Sequence, residues 1–382
     1  MCKRICFVVA VAAMLCSCEK IEYVGEPANG SPQNESFVTL EDVATLFSSL
    51  RLGPEQMDEV HHAALASVAN GYDEEYRMRD LFAAPGAGVG DDGVSSKAGG
   101  YARPLRELLR EAVSADTKAG GISSAWLDSL SVSNVQIYWP FSEDWDGTSL
   151  PVITYDPGDY VSRNVGYALR ADGGFDKVMV DEQMAMERPV WVINHNSDAG
   201  FLTFEMKRKE GIIVSPSSKA TTSGGKIKSL LLRSFNAKRQ FDSWFAGASE
   251  FFVKVGSVEN FYASTEAELR LYDPSITDFM IVVRRKQVGQ DIPFNAVLIS
   301  EWTKDLTNCA LMIIEDDGGT RTTWKCTAMV KVSSKSYGFE IEIPLYTHDD
   351  VVWRGSLTRN YIERYSGEVG HFGDVDMVLE LI

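Results

Sequence analysis

From Ser131 to the last residue the chain keeps one pattern: apolar stretches about four to eight residues long, cut by Gly, Pro, Asn and Asp. Segments that short, rich in Val, Ile and aromatics, form strands rather than helices. The pattern predicts strands over 132–139, 152–155, 165–169, 177–180, 190–194 and 202–206, with a hairpin turn at 170–174. A Ser- and Gly-rich breaker over 215–225 follows. Beyond it, strands are predicted over 227–232, 250–255, 268–272, 279–284, 296–302, 339–345 and 375–381. In the last of these Val375, Met377, Leu379 and Leu381 alternate with Asp376 and Glu380, as in a strand wet on one face. So many short strands with turns between them point to an antiparallel β-sandwich over 226–382, preceded by a β-rich domain over 125–214.

The residues before this are helical. Thr39 followed by Asp42 is a capping-box pattern, and Val38 and Val43 can staple across it. Val43, Leu46, Phe47 and Leu50 share one face of the helix, which stops at Gly53. Pro54 opens a second helix at a favourable first position, with Met57, Val60, Ala64, Leu65 and Val68 as its apolar face and Gly71 at its end. Residues 73–82 are expected to add a short third helix and 104–113 another, with a glycine-rich linker over 83–100 between them. The fold class expected is therefore α+β: a small helical region over 38–115, then β-rich domains ending in the sandwich.

The N-terminus has three parts. Lys3 and Arg4 are basic, and residues 5–15 are apolar but shorter than the roughly 20 residues a membrane-spanning helix requires. Leu15-Cys16-Ser17-Cys18 then resembles a bacterial lipobox, with Cys16 where a smaller residue is usual. The resemblance implies that 1–17 is an export signal and that Cys18 becomes the lipid-bearing first residue, followed by a tether over 18–37 rich in Gly, Pro, Asn and Ser. Acyl chains contribute about 0.8 kcal/mol per buried CH2, so such a protein is held on a membrane without spanning it. Glu19 and Glu22 after the cysteine resemble the acidic export signal of Bacteroidota lipoproteins, which implies the outer face of the outer membrane.

Charge narrows the partners. With 54 acidic and 37 basic residues the net charge is −17, so phosphate backbones repel the chain and nucleic acid is excluded as a ligand class. Neutral glycans, proteins or a cation such as calcium fit better. Of six cysteines, Cys309 and Cys326 remain once the signal and the lipid-bearing residue are set aside. A two-residue Asp-Gly turn at Asp317 and Gly318 would place them directly opposite each other in a hairpin. A disulfide is expected there, contributing about 3 kcal/mol in the chain-entropy model.

Candidate sites come from two clusters. Trp139 and Trp145 lie beside Asp144 and Asp146, a combination suited to stacking on a sugar ring while hydrogen-bonding its hydroxyls; equally, the aromatics can anchor the loop to a core. Asp144, Asp146 and Gly147 match three positions of a calcium loop, but Ile153 stands where the bidentate Glu belongs, so an EF-hand is excluded. The second cluster is His348, Asp349 and Asp350, at the end of a predicted strand. Residues 345–355 faintly resemble the acidic loop of C2-type sandwiches, which implies a metal, calcium, at these three side chains. His61 is expected at a core edge, His62 paired with Asp58, and His195 in a polar turn. No nucleophile elbow, HExxH or CxxC is present, and no catalytic residue is assigned. The expected function is therefore a non-catalytic binding or interaction role at the cell surface. A calcium-assisted glycan or peptide hydrolase and a structural envelope component are the alternatives.

Overall fold

The computed structural model describes residues 38–83, 100–118, 123–158, 161–198, 200–211 and 228–382. The signal, Cys18, the tether and most of both glycine-rich stretches lie outside the described residues. No described helix is long and apolar enough to cross a membrane. The architecture is α+β and β-rich, with mainly antiparallel sheets.

The first unit joins helices to a six-stranded sheet. Helix α1 (Leu40–Ser48) starts where expected: the Thr39 hydroxyl accepts from the Asp42 N–H at 3.1 Å, and Val38 and Val43 are buried in one cluster. Helix α2 (Pro54–Ala69) has Pro at its start and ends as Gly71 turns left-handed at φ +82°. The short helix expected over 73–82 is half strand: β1 (Glu75–Arg77) pairs antiparallel with β2 (Val135–Tyr138), and only α3 (Met78–Phe82) is helical. A sheet edge that buries Glu75, Tyr76 and Arg77 outweighs their local helix propensity. Helices α4 (Leu105–Lys118) and α5 (Ser124–Ser131) follow; the second was not expected from the sequence.

Strands β3 (Val152–Tyr155), β4 (Asn164–Leu169), β5 (Phe175–Val180) and β6 (Val190–His195) complete the sheet in the order β1-β2-β6-β3-β4-β5, with β3 and β6 parallel. The 170–174 turn forms as expected, closed by the Arg170 N–H to the Gly174 carbonyl at 2.8 Å. Ile137, Ile153, Trp191 and Ile193 face the helices and share their core. The helical region and the β-rich region are thus one packed unit, and the expected boundary at 115–125 falls inside it. Val152, Val190 and Val192 belong to a separate cluster with Trp244 and Phe245, which come from a loop of the C-terminal region. Helix α6 (Glu182–Glu187) contributes Ala185 there.

Residues 202–206 are not a strand. Thr203 caps α7 (Phe204–Lys209) by accepting from the Met206 N–H at 3.1 Å. The C-terminal unit is then built on two four-stranded sheets. One is ordered β10-β7-β16-β15, from β7 (Lys228–Ala237), β10 (Ile292–Trp302), β15 (Val369–Phe372) and β16 (Val375–Leu381). The other is ordered β14-β11-β8-β9, from β8 (Ser249–Ser257), β9 (Ser275–Val283), β11 (Asn308–Glu315) and β14 (Asp350–Thr358). Leu230, Leu232 and Phe235 pack with Phe251, Val253 and Val255 in one core. Helix α8 (Arg359–Arg364) adds Ile362 to it.

A long hairpin, β12 (Arg321–Val332) with β13 (Lys335–Tyr346), covers the outer face of the second sheet. Ile341 and Ile343 come so close to Gly256 that a Cβ there would lie 2.9 Å from the Ile341 side chain. Every residue of β8 is consequently buried. Two expectations fail here. Residues 266–271 form a 3-10 turn rather than a strand. The Cys309–Cys326 hairpin does not form either: β11 pairs with β8 and β14, so Cys309 lies opposite Leu357, while β12 pairs with β13, so Cys326 lies opposite Ile341. The segment leading into β11 and the end of β12 touch around the Leu306–Val330 bridge, where the Thr307 N–H donates to the Met329 carbonyl at 2.8 Å, but the two strands form no ladder. The sandwich takes β11 into its interior, and both cysteines are free thiols.

Candidate functional site

The tryptophan cluster is part of the core. Trp139 is 1% exposed, tilted against Trp145 and Trp191 at 5.6 and 5.8 Å between ring centroids. His61 closes the group: it lies 5.1 Å from the Trp145 ring, and its Nε2 is 3.1 Å from the Ser142 carbonyl. That is the core-edge position expected for His61. The Trp145 indole donates to the Ser149 carbonyl at 3.0 Å, and its half-buried ring packs on His61 and Trp139, which is the loop-anchoring role. Asp146 organises its own turn, accepting from the Thr148 and Ser149 N–H groups at 2.8 and 2.7 Å, and these bonds hold its carboxyl well below the usual range. Asp144 pairs with Lys286 at 2.5 Å. These four residues anchor a loop and do not form a ligand platform.

The second cluster is divided by the fold. His348 and Asp350 are exposed, and Asp350 opens β14. Asp349 is buried in the β13–β14 turn, where its Oδ2 accepts from the Tyr346 N–H at 2.7 Å. The three do not converge on a shared cation position; Asp349 joins a different group.

That group lines a cavity of about 260 Å3 between β8, β9, the start of β12 and the β13–β14 turn. Phe201 and Phe252, edge to face at 4.8 Å, give it an apolar wall, and Tyr346 stands beside them. Lys254, Asp278, Asp316, Arg321 and Asp349 supply charge of both signs. Lys254 is buried, with its ammonium 2.6 Å from the Pro344 carbonyl. Burial lowers its pKa, opposed by the charges of Asp278, Asp349 and Asp316. Asp278 is also held by Lys207, at 3.2 Å. The Asp349 carboxyl is raised to about 6, first by burial and then by the neighbouring charge of Asp316. Its Oδ1 carries no hydrogen bond. Asp316 follows β11 directly, with its N–H on the Glu250 carbonyl at 3.0 Å. A wall of aromatic carbon beside clustered donors and acceptors suits a small polar ligand with one apolar face.

Sequence reasoning reached Asp349 alone of these residues. A signal for Lys254 existed: it is the charged residue inside the apolar run from Phe251 to Val255. Compared with protein-family models, with curated protein sequences and with solved structures, the chain matches none.

Proposed function

We propose that this chain is a lipoprotein of the bacterial outer membrane, of the Bacteroidota type, anchored through Cys18 and facing outward. Its sandwich binds one sugar unit of a glycan without turning it over. The observation that carries this reading is the cavity beside Asp316 and Asp349, where aromatic carbon and hydrogen-bonding groups meet. A sugar ring presents a C–H face to aromatic carbon and hydroxyls to carboxylates and ammonium groups. At about 260 Å3 the cavity lies just below the range of drug-sized pockets, which suits a single unit.

Thermal melting against a panel of mono- and oligosaccharides tests the binding. A stabilising sugar should lose its effect in Asp349→Ala, with the sugar recovered unchanged. A shift that survives this substitution, or no shift with any glycan, would overturn the reading. The anchor is tested separately: Cys18→Ala should move the protein from the membrane to the soluble fraction, and full retention would reject the lipid assignment.

A further inference from the structure

Asp242, Glu250 and Glu315 each bring one carboxylate oxygen within 4.8 Å of the other two. Asp242 lies in the loop between β7 and β8, Glu250 in β8, and Glu315 at the end of β11. Glu250 is buried and Asp242 half-buried, while Glu315 is 0% exposed. Neither oxygen of Glu315 takes part in a hydrogen bond, and Asp242 and Ser249 are its polar neighbours. The arginine that reaches this loop, Arg285, directs its donors elsewhere: to the Asp242 and Gly247 carbonyls, both at 2.9 Å, and towards Glu182 at 3.6 Å. Among the described residues no lysine or arginine forms an ion pair with Glu250 or Glu315.

Three carboxylates packed together out of water cannot all carry charge unless something neutralises them. We propose that Asp242, Glu250 and Glu315 form a calcium site. The donor set is all oxygen, with no His or Cys, which selects a hard cation over zinc or copper. Two oxygens on one calcium, each at about 2.3–2.6 Å, stand at most about 5 Å apart, so oxygens within 4.8 Å of one another can share the ion with a small inward adjustment. Magnesium, at about 2.0–2.1 Å, demands a tighter octahedron and gives up its water reluctantly, so an all-carboxylate group of this kind favours calcium.

The ion would tie together three segments. The loop carrying Asp242 also carries Trp244 and Phe245, which pack on the six-stranded sheet, so calcium would brace the contact between the two units. Glu315 is followed by Asp316 of the cavity, yet the inference does not depend on the sugar reading.

The test uses the purified protein, stripped with chelator and titrated with calcium, then separately with magnesium. Expected are a saturable rise of several degrees in melting temperature with calcium and about one ion retained per chain by elemental analysis. Magnesium should give a smaller rise. Glu315→Gln should abolish the calcium shift and the retained ion. Asp242→Asn, at a half-buried position, is the second variant should the first fail to fold. No retained metal and no shift with either ion would overturn the proposal. So would a full calcium shift that persists in a folded variant.

Discussion

Two groups of buried acids sit at the junction of the units, and the protein treats them differently. In the first, Asp73, Glu74, Glu75 and Asp198 are supplied with donors from the chain itself. The Arg77 guanidinium lies 2.7 Å from Glu75 and 3.5 Å from Asp198, and Asn196 donates to both of these carboxylates at 3.0 and 2.7 Å. Asp73 accepts from the Glu74 and Ala248 N–H groups at 2.8 Å each, and Glu74 from Phe141 and Ser142. In the second group, Glu315 has the Ser249 hydroxyl beside it but no N–H or cation bonded to it among the described residues. A buried carboxylate that the fold solvates from within is a structural element. One that it leaves unsolvated is an opening for a proton or an ion from outside.

The comparison breaks most directly at Arg77. Arg77→Ala leaves Glu75 and Asp198 without their cation and should destabilise the protein by about 3–5 kcal/mol in denaturant unfolding. A loss under about 1 kcal/mol would mean that the first group is no better compensated than the second.

Matched amide substitutions sharpen it. Glu75→Gln removes the nearer of the two carboxylates that face the buried Arg77 guanidinium and should cost about 1–3 kcal/mol. Glu315→Gln, in chelator at neutral pH, replaces a protonated acid by a neutral amide of the same shape and should change stability by less than about 1 kcal/mol. Equal losses in the two variants would erase the distinction.

The first group also sets a pH dependence. Burial raises Asp73 from 3.8 to about 6 and Glu74 from 4.5 to about 7. Between about pH 4 and 7 the folded form then keeps protons that the unfolded chain has released. Stability is greatest at the acidic end of that window and falls as pH rises through it, by about 1 kcal/mol per pH unit for each proton retained. Denaturant unfolding in chelator from pH 5 to 8 should show the decline; a rise over that range would mean these carboxylates are ionised in the folded state.

The smallest effect concerns the thiols. Burial pushes Cys309 and Cys326 both up to about 12, so native alkylation should be slow at neutral pH. Both should react once the chain is unfolded without reductant. Failure to label then would restore the disulfide that the strand pairing argues against.

What the sequence determined by itself is what short-range physics controls. The Thr39 cap, the Pro54 start, the 170–174 turn and the alternating last strand depend on neighbours within a few residues, and they stand where the pattern put them. The α+β class follows from the same periodicities. What only the tertiary structure decided is which segments meet. Glu75 to Arg77 became an edge strand because β2 was there to pair with it. Residues 309 and 326 are not partners in one hairpin because β8 and β14 competed for β11, and the interior of a sandwich offers more burial than a free hairpin. Asp242, Glu250 and Glu315 are separated in sequence by a turn and several strands, so nothing local marks them as a group. The only trace was a charge at the edge of each apolar run: Glu250 before Phe251, Glu315 after Ile314. Hydrogen bonds and periodicity are local, whereas the desolvation of a charge depends on everything packed around it.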